Sequence, residues 1–267
     1  MGRSEWEMRR VVSADGTRIG FGRVGEGTVP LVLVHGALST GRSWMRVARA
    51  LAGAATCYVM DRRGRGRSDD RAEYALEREI EDVLAVLGAA GDGAFLMGHS
   101  SGAIYALEAA ARTDVGGLIL YEPPLHALRG RFATETWGRI QGAAGEGRFE
   151  EAMSIFLREE AQLPEEAIAS LKEGERWREM SRTARQSVRE WEELVRVAPG
   201  PERYREIRCG TLLLAGSETQ GHPSFATKAL RATLPRAEIR VLAGQGHFAH
   251  DGAPELLADA VKAFLTS

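Results

Sequence analysis

The sequence predicts an α/β fold: one large domain on a mostly parallel sheet, with a helical insertion. Three observations support this. The length of 267 residues suits one large domain or one domain with a small insertion, and short apolar runs alternate with segments of helical periodicity. The alternation is broken once, by a long stretch of charged helical segments. Alternating strands and helices form parallel sheets covered on both faces, so the insertion would lie over the carboxyl ends of the strands.

Taken in order, the elements begin with a hairpin: Glu7–Val12 and Thr17–Val24 flank the turn signal Asp15-Gly16. A helix from Ser43 to Leu51 is expected to use Ser43 as its N-cap. The remaining strands are expected at Leu31–Val34, Cys57–Met60, Phe95–Met97, Leu118–Tyr121, Thr211–Ala215 and Ile239–Leu242. The other helices of the alternating part are expected at Leu76–Leu87, Ala103–Arg112, Phe225–Leu234 and Glu255–Leu265. Helices of the insertion are expected at Trp137–Gln141, Phe149–Glu160, Glu165–Trp177 and Thr183–Val197.

Composition and charge argue against several classes of function. The 35 basic and 37 acidic residues leave a formal net charge of -2, whereas nucleic-acid binders usually show a basic excess. Met1–Val12 has no apolar core of signal-peptide length, and no apolar run is long enough for membrane insertion. We therefore expect a cytoplasmic protein that binds no nucleic acid. Cys57 and Cys209 are expected to be free thiols, because each lies beside an apolar run.

The pentapeptide Gly98–Gly102 fits G-x-S-x-G, the pattern of a nucleophile elbow. Phe95–Met97 precedes it and Ala103–Arg112 comes after it, which is the strand–turn–helix setting that the elbow requires. The two glycines leave room for a sharp turn that would lift Ser100 Oγ into the cleft. Ser100 is therefore the candidate nucleophile.

A serine hydroxyl needs a base, and His247 is the best-placed histidine. It lies on a glycine loop after the last strand and before the closing helix. His250 lacks that position and is expected at the pocket rim or in solvent. His99 is expected to pack beside the nucleophile, where it would border the substrate pocket.

The segment His35-Gly36-Ala37 comes directly after the first buried parallel strand. The favoured role for His35 is to brace the loop by hydrogen bonds. The backbone N–H groups of Ala37 and Ser101 could both face a developing oxyanion.

Four segments of the chain resemble the α/β-hydrolase fold family: His35-Gly36-Ala37, Asp61–Ser68, Gly98–Gly102 and Gly246-His247. The resemblance covers nearly the whole length. It implies an eight-stranded, mostly parallel sheet with a helical cap inserted after the sixth strand. It also implies a Ser–acid–His triad, in which Ser100 and His247 match the nucleophile and the base. We expect residues 1–124 and 206–267 to form the core and residues 125–205 to form the cap.

The acid departs from the family's pattern. Its usual position, three residues beyond the glycine after the seventh strand, is occupied by Thr219, which carries no carboxylate. Glu218 lies one residue early, and Glu122 lies at the end of the sixth strand, where certain haloalkane dehalogenases and the zearalenone lactonases place their acid. Glu122 is preferred because a strand end fixes its direction and Pro123-Pro124 stiffens the next part of the chain. Glu218 remains the alternative.

The arginines of Asp61–Ser68 do not form a phosphate-binding loop, so a structural, salt-bridged role is favoured for them. Apolar and aromatic residues near the oxyanion loop and in the insertion are the candidates for the substrate pocket, although core packing is an alternative for most of those in the insertion. Besides His99, the pocket candidates are Leu38, Trp44, Trp137, Met153, Phe156, Trp177 and Trp191.

These residues predict a serine hydrolase that cleaves a hydrophobic carboxylic ester or lactone through an acyl-enzyme. Acyl transfer, cyclisation or C–C bond cleavage on the same triad is an alternative, and a non-catalytic ligand receptor is a further one. No residue spacing typical of a zinc site is present, so neither a metal nor another cofactor is expected. A homodimer is possible.

Overall fold

A computed structural model describes residues 6–125, 135–161, 163–197, 200–219 and 222–266. Eight strands form one sheet in the order β1-β2-β4-β3-β5-β6-β7-β8. The strands are β1 Glu7–Val12, β2 Arg18–Val24, β3 Val29–Val34, β4 Ala55–Met60, β5 Phe95–His99, β6 Gly117–Tyr121, β7 Thr211–Gly216 and β8 Ala237–Leu242. β2 runs antiparallel to both of its neighbours, and every other pairing is parallel. The expected eight-stranded, mostly parallel sheet is confirmed.

Helices cover both faces of this sheet, as alternation of strands and helices predicts. Successive residues of β3 alternate between two core clusters: Val32 and Val34 belong to one, and Leu31 and Leu33 to the other. The helices that connect or succeed the strands are α1 Met45–Leu51, α2 Leu76–Ala90, α3 Ser101–Ala110, α8 His222–Thr233, α9 Ala249–Gly252 and α10 Pro254–Leu265. Helices α2, α3 and α8 pack in the first cluster, and α1 and α10 pack in the second.

The predicted start of the first helix is wrong. A 3-10 turn, Gly41–Trp44, precedes α1, and Thr40 rather than Ser43 is its N-cap. Thr40 Oγ1 accepts the backbone N–H of Arg42 at 3.3 Å, while Ser43 Oγ donates to the Thr40 carbonyl. A hydroxyl caps a helix only from a residue that precedes the turn in extended conformation, and Thr40 has that backbone.

Between β6 and β7 the described residues form four α-helices, which we call the insertion helices, and a short 3-10 helix, Pro201–Tyr204. The insertion helices are α4 Glu135–Gly145, α5 Phe149–Ile155, α6 Glu165–Glu173 and α7 Glu175–Val197, with a π-helical turn, Phe156–Glu160, continuing α5. Residues 126–134, 162, 198 and 199 of the expected cap lie outside the described residues. The predicted helix Glu165–Trp177 is wrong in its extent. Gly174 is extended and ends α6, so Trp177 belongs to α7.

No helix among the described residues is both long enough and apolar enough to cross a membrane.

Candidate active site

Ser100 lies in the turn between β5 and α3 with φ 53° and ψ -127°. This conformation is costly for a residue with a side chain, and surrounding bonds hold it in place. Its N–H donates to the Tyr121 carbonyl of β6, and its carbonyl accepts the N–H of Ala103, both at 2.9 Å. The strand–turn–helix geometry expected from the sequence at Ser100 is therefore present, with a strained turn.

The glycines on either side of Ser100 are required by close backbone approach. A Cβ at Gly98 would lie 2.3 Å from the Gly102 carbonyl oxygen. A Cβ at Gly102 would lie 2.5 Å and 2.6 Å from the carbonyl oxygens of Val34 and His35. Helix α3 can start this close to β5 and to the end of β3 only because neither position carries a side chain.

Three residues other than glycine have positive φ in the described part of the chain: Leu38, Ser100 and Glu122. They come after β3, β5 and β6, which are neighbours in the sheet. All three turns therefore lie at the carboxyl edge of the sheet, where open α/β sheets bind ligands. Backbone strain concentrated at one edge is typical of a functional site.

Glu122 and His247 are joined by a short hydrogen bond, with Oε2 2.6 Å from Nδ1. The Glu122 side chain has no exposed surface, and its Oε1 accepts the N–H of Gly216 at 2.8 Å. Burial raises the pKa of Glu122, but hydrogen bonding to His247 and the charge of that ring outweigh it, so the pKa is lowered. Glu218 is exposed, and its side chain makes no hydrogen bond or ion pair within the described residues. The structure thus brings Glu122, and not Glu218, to the histidine.

The Glu122 bond determines which nitrogen of His247 is available. Nδ1 is directed at a carboxylate, so it carries the proton and leaves Nε2 as the basic nitrogen. The His247 side chain is about a quarter exposed. No hydrogen bond joins Ser100 Oγ to His247 Nε2 in the ranges that the structure describes, and the half-buried serine hydroxyl is uncommitted there.

His99, the residue before Ser100, packs against His247. Its ring centroid lies 4.5 Å from that of His247, and its Nε2 pairs with the His247 carbonyl at 2.9 Å. His250 also packs against His99, at 4.4 Å, and it is buried rather than at the rim or in solvent as expected. The burial of His250 was not predictable from sequence, because it depends on the short helix α9, which turns His250 towards the sheet. Burial, followed by the charge of Arg176, lowers the pKa of His250 to about 3.

Two backbone N–H groups beside Ser100 have no acceptor among the described residues: those of Ala37 and Ser101. Ser101 is the first residue of α3, where an N–H has no partner within the helix. His35 is buried; its Nδ1 donates to the Gly36 carbonyl at 2.8 Å, and its Nε2 accepts the N–H of Arg62 at 3.1 Å. Burial and nearby arginine charges lower its pKa, so the ring is neutral and braces the loop.

A network of buried charges lies beneath this loop. Arg62 pairs with Glu79 of α2 at 2.8 Å and with Glu190 of α7 at 2.9 Å. Arg65 also pairs with both glutamates. All four side chains have no exposed surface. Arg62 and Arg65 therefore act as structural ion-pair partners that join α7 to the main body.

The pocket candidates from the sequence divide between the two core clusters. Trp44 has no exposed surface and packs with α1, 5.5 Å from the His250 ring, so the structure does not place it on a pocket wall. The other cluster, on the face of the insertion helices, holds Leu38, Trp137, Met153, Phe156, Trp177 and Trp191. Phe156 and Trp191 stack at 3.9 Å, and Met153 is fully buried. Only Trp137 and Phe156 of this set are partly exposed.

Sequence reasoning missed two residues of α7 that reach the site. Ser187 Oγ accepts the N–H of Leu38 at 2.9 Å, and Glu190 belongs to the charge network. Both lie on the buried face of α7 among Met180, Ala184 and Trp191. A polar residue on the apolar stripe of an amphipathic helix is a signal readable from sequence, but it does not name the partner.

Within the described residues, no group of three or more His, Cys, Asp or Glu side chains is arranged to hold a metal ion.

Comparison with known proteins agrees with this architecture. A family model described as the alpha/beta hydrolase family matches residues 31–260. An alpha/beta hydrolase of known structure from Sphaerobacter thermophilus is 34% identical, with a TM-score of 0.86 over 96% of this chain and 99% of that one. The structure of Est816, an N-acyl homoserine lactone degrading enzyme, is 25% identical, with a TM-score of 0.76 over 96% of this chain and 100% of that one.

One curated relative is the N-formylmaleamate deformylase of Pseudomonas putida, which is 38% identical over 119 residues. That match spans 43% of this chain and 44% of the relative, less than half of either length. The family model covers most of the chain, and the sheet order and the elbow agree with it. The chain therefore belongs to the alpha/beta hydrolase family.

Proposed function

We propose that this protein is a serine hydrolase that cleaves a hydrophobic carboxylic ester or lactone. The observation that carries the proposal is the Glu122–His247 hydrogen bond of 2.6 Å, formed at the same sheet edge as Ser100, which has the strained backbone of an elbow. A buried carboxylate that holds the Nδ1 proton of a histidine leaves Nε2 free to accept a proton from a nucleophile.

In the proposed reaction, Ser100 Oγ attacks the substrate carbonyl while His247 Nε2 takes the hydroxyl proton. The N–H groups of Ala37 and Ser101 donate to the oxyanion, and the protonated His247 then gives its proton to the leaving alkoxide. Water, deprotonated by His247, hydrolyses the acyl-enzyme and regenerates Ser100. Glu122 remains ionised throughout and stabilises the imidazolium.

The proposed reaction requires Ser100 Oγ to approach His247 Nε2. Catalytic hydrogen bonds of this kind are often long in the ligand-free protein and shorten when substrate binds. The substrate is proposed to lie against the apolar face of the insertion helices, which we propose act as a cap comprising residues 125–205. Residues 1–124 and 206–267 would then form the core.

Labelling with a fluorophosphonate tests the nucleophile, and intact-mass measurement reads the result. We expect one adduct on the folded protein, located on Ser100 and absent from Ser100→Ala. Hydrolysis of p-nitrophenyl esters of increasing acyl length, beside aliphatic and aromatic lactones, then identifies the substrate class. Folded protein that takes no adduct and turns over no ester or lactone would contradict the proposal and favour a ligand receptor. Products that contain an added alcohol acceptor would instead indicate acyl transfer.

A second candidate is hydrolysis of an N-formyl group, favoured by the 38% identity to the deformylase. The same groups would serve, with the nitrogen leaving after it receives the His247 proton. Release of formate from an N-formyl amide, at a kcat/KM above that for every ester and lactone in the panel, would select this candidate.

A further inference from the structure

Helix α7 reaches the loop that carries Ala37 through one buried hydrogen bond. Ser187 Oγ accepts the backbone N–H of Leu38 at 2.9 Å. Ser187 has no exposed surface, and Leu38 is 4% exposed. A buried amide without an acceptor is unfavourable, so this hydroxyl, 149 residues away in the chain, fixes where that amide points.

Leu38 has φ 53°, a left-handed backbone conformation that is unfavourable for a bulky side chain. Such a conformation persists only where neighbouring structure holds it. The peptide that contains the Leu38 N–H joins it directly to Ala37. Holding this peptide restricts rotation at Ala37 and thereby fixes the direction of the Ala37 N–H.

The same helix holds the loop from its other side. Glu190 lies one turn after Ser187 and pairs with Arg62 at 2.9 Å. Arg62 in turn donates from Nη1 to the His35 carbonyl at 3.3 Å. The loop is therefore held on both flanks of Ala37, at the His35 carbonyl and at the Leu38 amide, by groups that depend on α7.

We propose that Ser187 is a positioning residue for the oxyanion hole, because its hydrogen bond to Leu38 aims the Ala37 N–H at the substrate carbonyl oxygen. The inference rests on the proposed function, since an oxyanion hole acts only if Ser100 attacks a carbonyl. Ser187 does not touch the reacting atoms. Removal of the Ser187 hydroxyl therefore raises the free energy of the transition state, in which negative charge develops on the oxygen. It has little effect on the affinity for substrate.

The test compares wild type with Ser187→Ala and Ser187→Cys, using a p-nitrophenyl ester as substrate and an alkyl trifluoromethyl ketone as inhibitor. Ser100 adds to the ketone carbonyl and gives a hemiketal whose negatively charged oxygen lies in the oxyanion hole. The affinity for the ketone therefore reports on the oxyanion hole itself. In both variants we expect kcat to fall about 10- to 50-fold, KM to change less than about twofold, and Ki for the ketone to rise by the same factor as kcat falls. The cysteine variant keeps an atom at the γ position but replaces the hydroxyl with a thiol, which is only a weak acceptor, and so separates loss of the hydrogen bond from creation of a cavity.

Thr183→Val is the matched control, because Thr183 is also buried on α7 but donates within the helix, to the Met180 carbonyl at 3.0 Å. We expect this variant to keep the wild-type kcat and Ki. Hydrogen exchange of the peptide that contains Leu38 should accelerate in the two Ser187 variants and not in Thr183→Val.

The outcomes separate the two proposals. If wild type is labelled and active but both Ser187 variants keep its kcat and Ki, the role of Ser187 is wrong and the proposed function stands. An equal loss in Thr183→Val would also overturn it, since general packing of α7 would then be the cause. If wild type itself is neither labelled nor active, the proposed function fails, and the role of Ser187 fails with it.

Discussion

The carboxylate of Glu122 contacts both His247 and the backbone of the neighbouring strand. Its Oε2 lies 2.6 Å from His247 Nδ1, and its Oε1 accepts the N–H of Gly216 at 2.8 Å. Glu122 lies directly after β6, and Gly216 ends β7. An acid held by the sheet backbone cannot rotate away from the histidine, so the imidazole is oriented before any ligand arrives.

Glu122→Gln should lower kcat/KM by about three orders of magnitude, because an amide can neither stabilise the imidazolium nor enforce the tautomer with a basic Nε2. The measurement is steady-state hydrolysis of the best ester or lactone found in the proposed screen. Glu218→Gln is the matched control and should stay within about threefold of wild type. The reverse ranking would transfer the acid role to Glu218.

Gly102→Ala should destabilise the protein by about 3 kcal/mol, because the new methyl group would overlap the carbonyl oxygens of Val34 and His35. The same change at Gly142 in α4, where a Cβ meets nothing within 4 Å, should stabilise the protein by about 0.5–1 kcal/mol. Urea unfolding measures both. Equal effects at the two positions would mean that α3 can move away from β3 without cost.

Glu190→Gln should lower the free energy of unfolding by about 3 kcal/mol, since it removes a buried charge that neutralises Arg62 and Arg65. Glu192→Gln, on the exposed side of the same helix, serves as the control and should cause no measurable change. Urea unfolding at low and high salt is the measurement. A strong salt dependence of the Glu190 effect would contradict its burial.

His250→Phe should weaken the acid sensitivity of the fold. The pKa of His250 is lowered to about 3 in the folded protein, so below its ordinary value of 6.5 the unfolded chain binds a proton that the folded protein does not. Its contribution to stability is constant only well above that ordinary value, and it decreases by about 1.4 kcal/mol as the pH falls from 7.5 to 5.5. The difference in unfolding free energy between wild type and variant, measured across this range, should show that slope. Parallel pH profiles would contradict it.

The sheet was predictable from sequence because each buried strand is a short apolar run with its own end signal. The sharp turn at Ser100 was equally predictable, because two glycines flank the serine between a predicted strand and a predicted helix. That Glu122 rather than Glu218 pairs with His247 required tertiary structure, because it depends on which carboxylate the backbone of β7 holds. Contacts between distant elements, such as that of Ser187 with Leu38, were not predictable. The sequence shows only a polar residue on the apolar face of a helix and does not identify its partner.

The buried charge network constrains how this chain can be recombined with its relatives. Arg62 and Arg65 belong to the main body, whereas Glu190 belongs to α7. In a chimera whose foreign helix has no acid at position 190, the buried guanidinium groups of Arg62 and Arg65 would lose one of their two counter-charges. Grafting the insertion helices therefore requires transfer of these arginines and Glu79 as a unit, even though they are far apart in the chain.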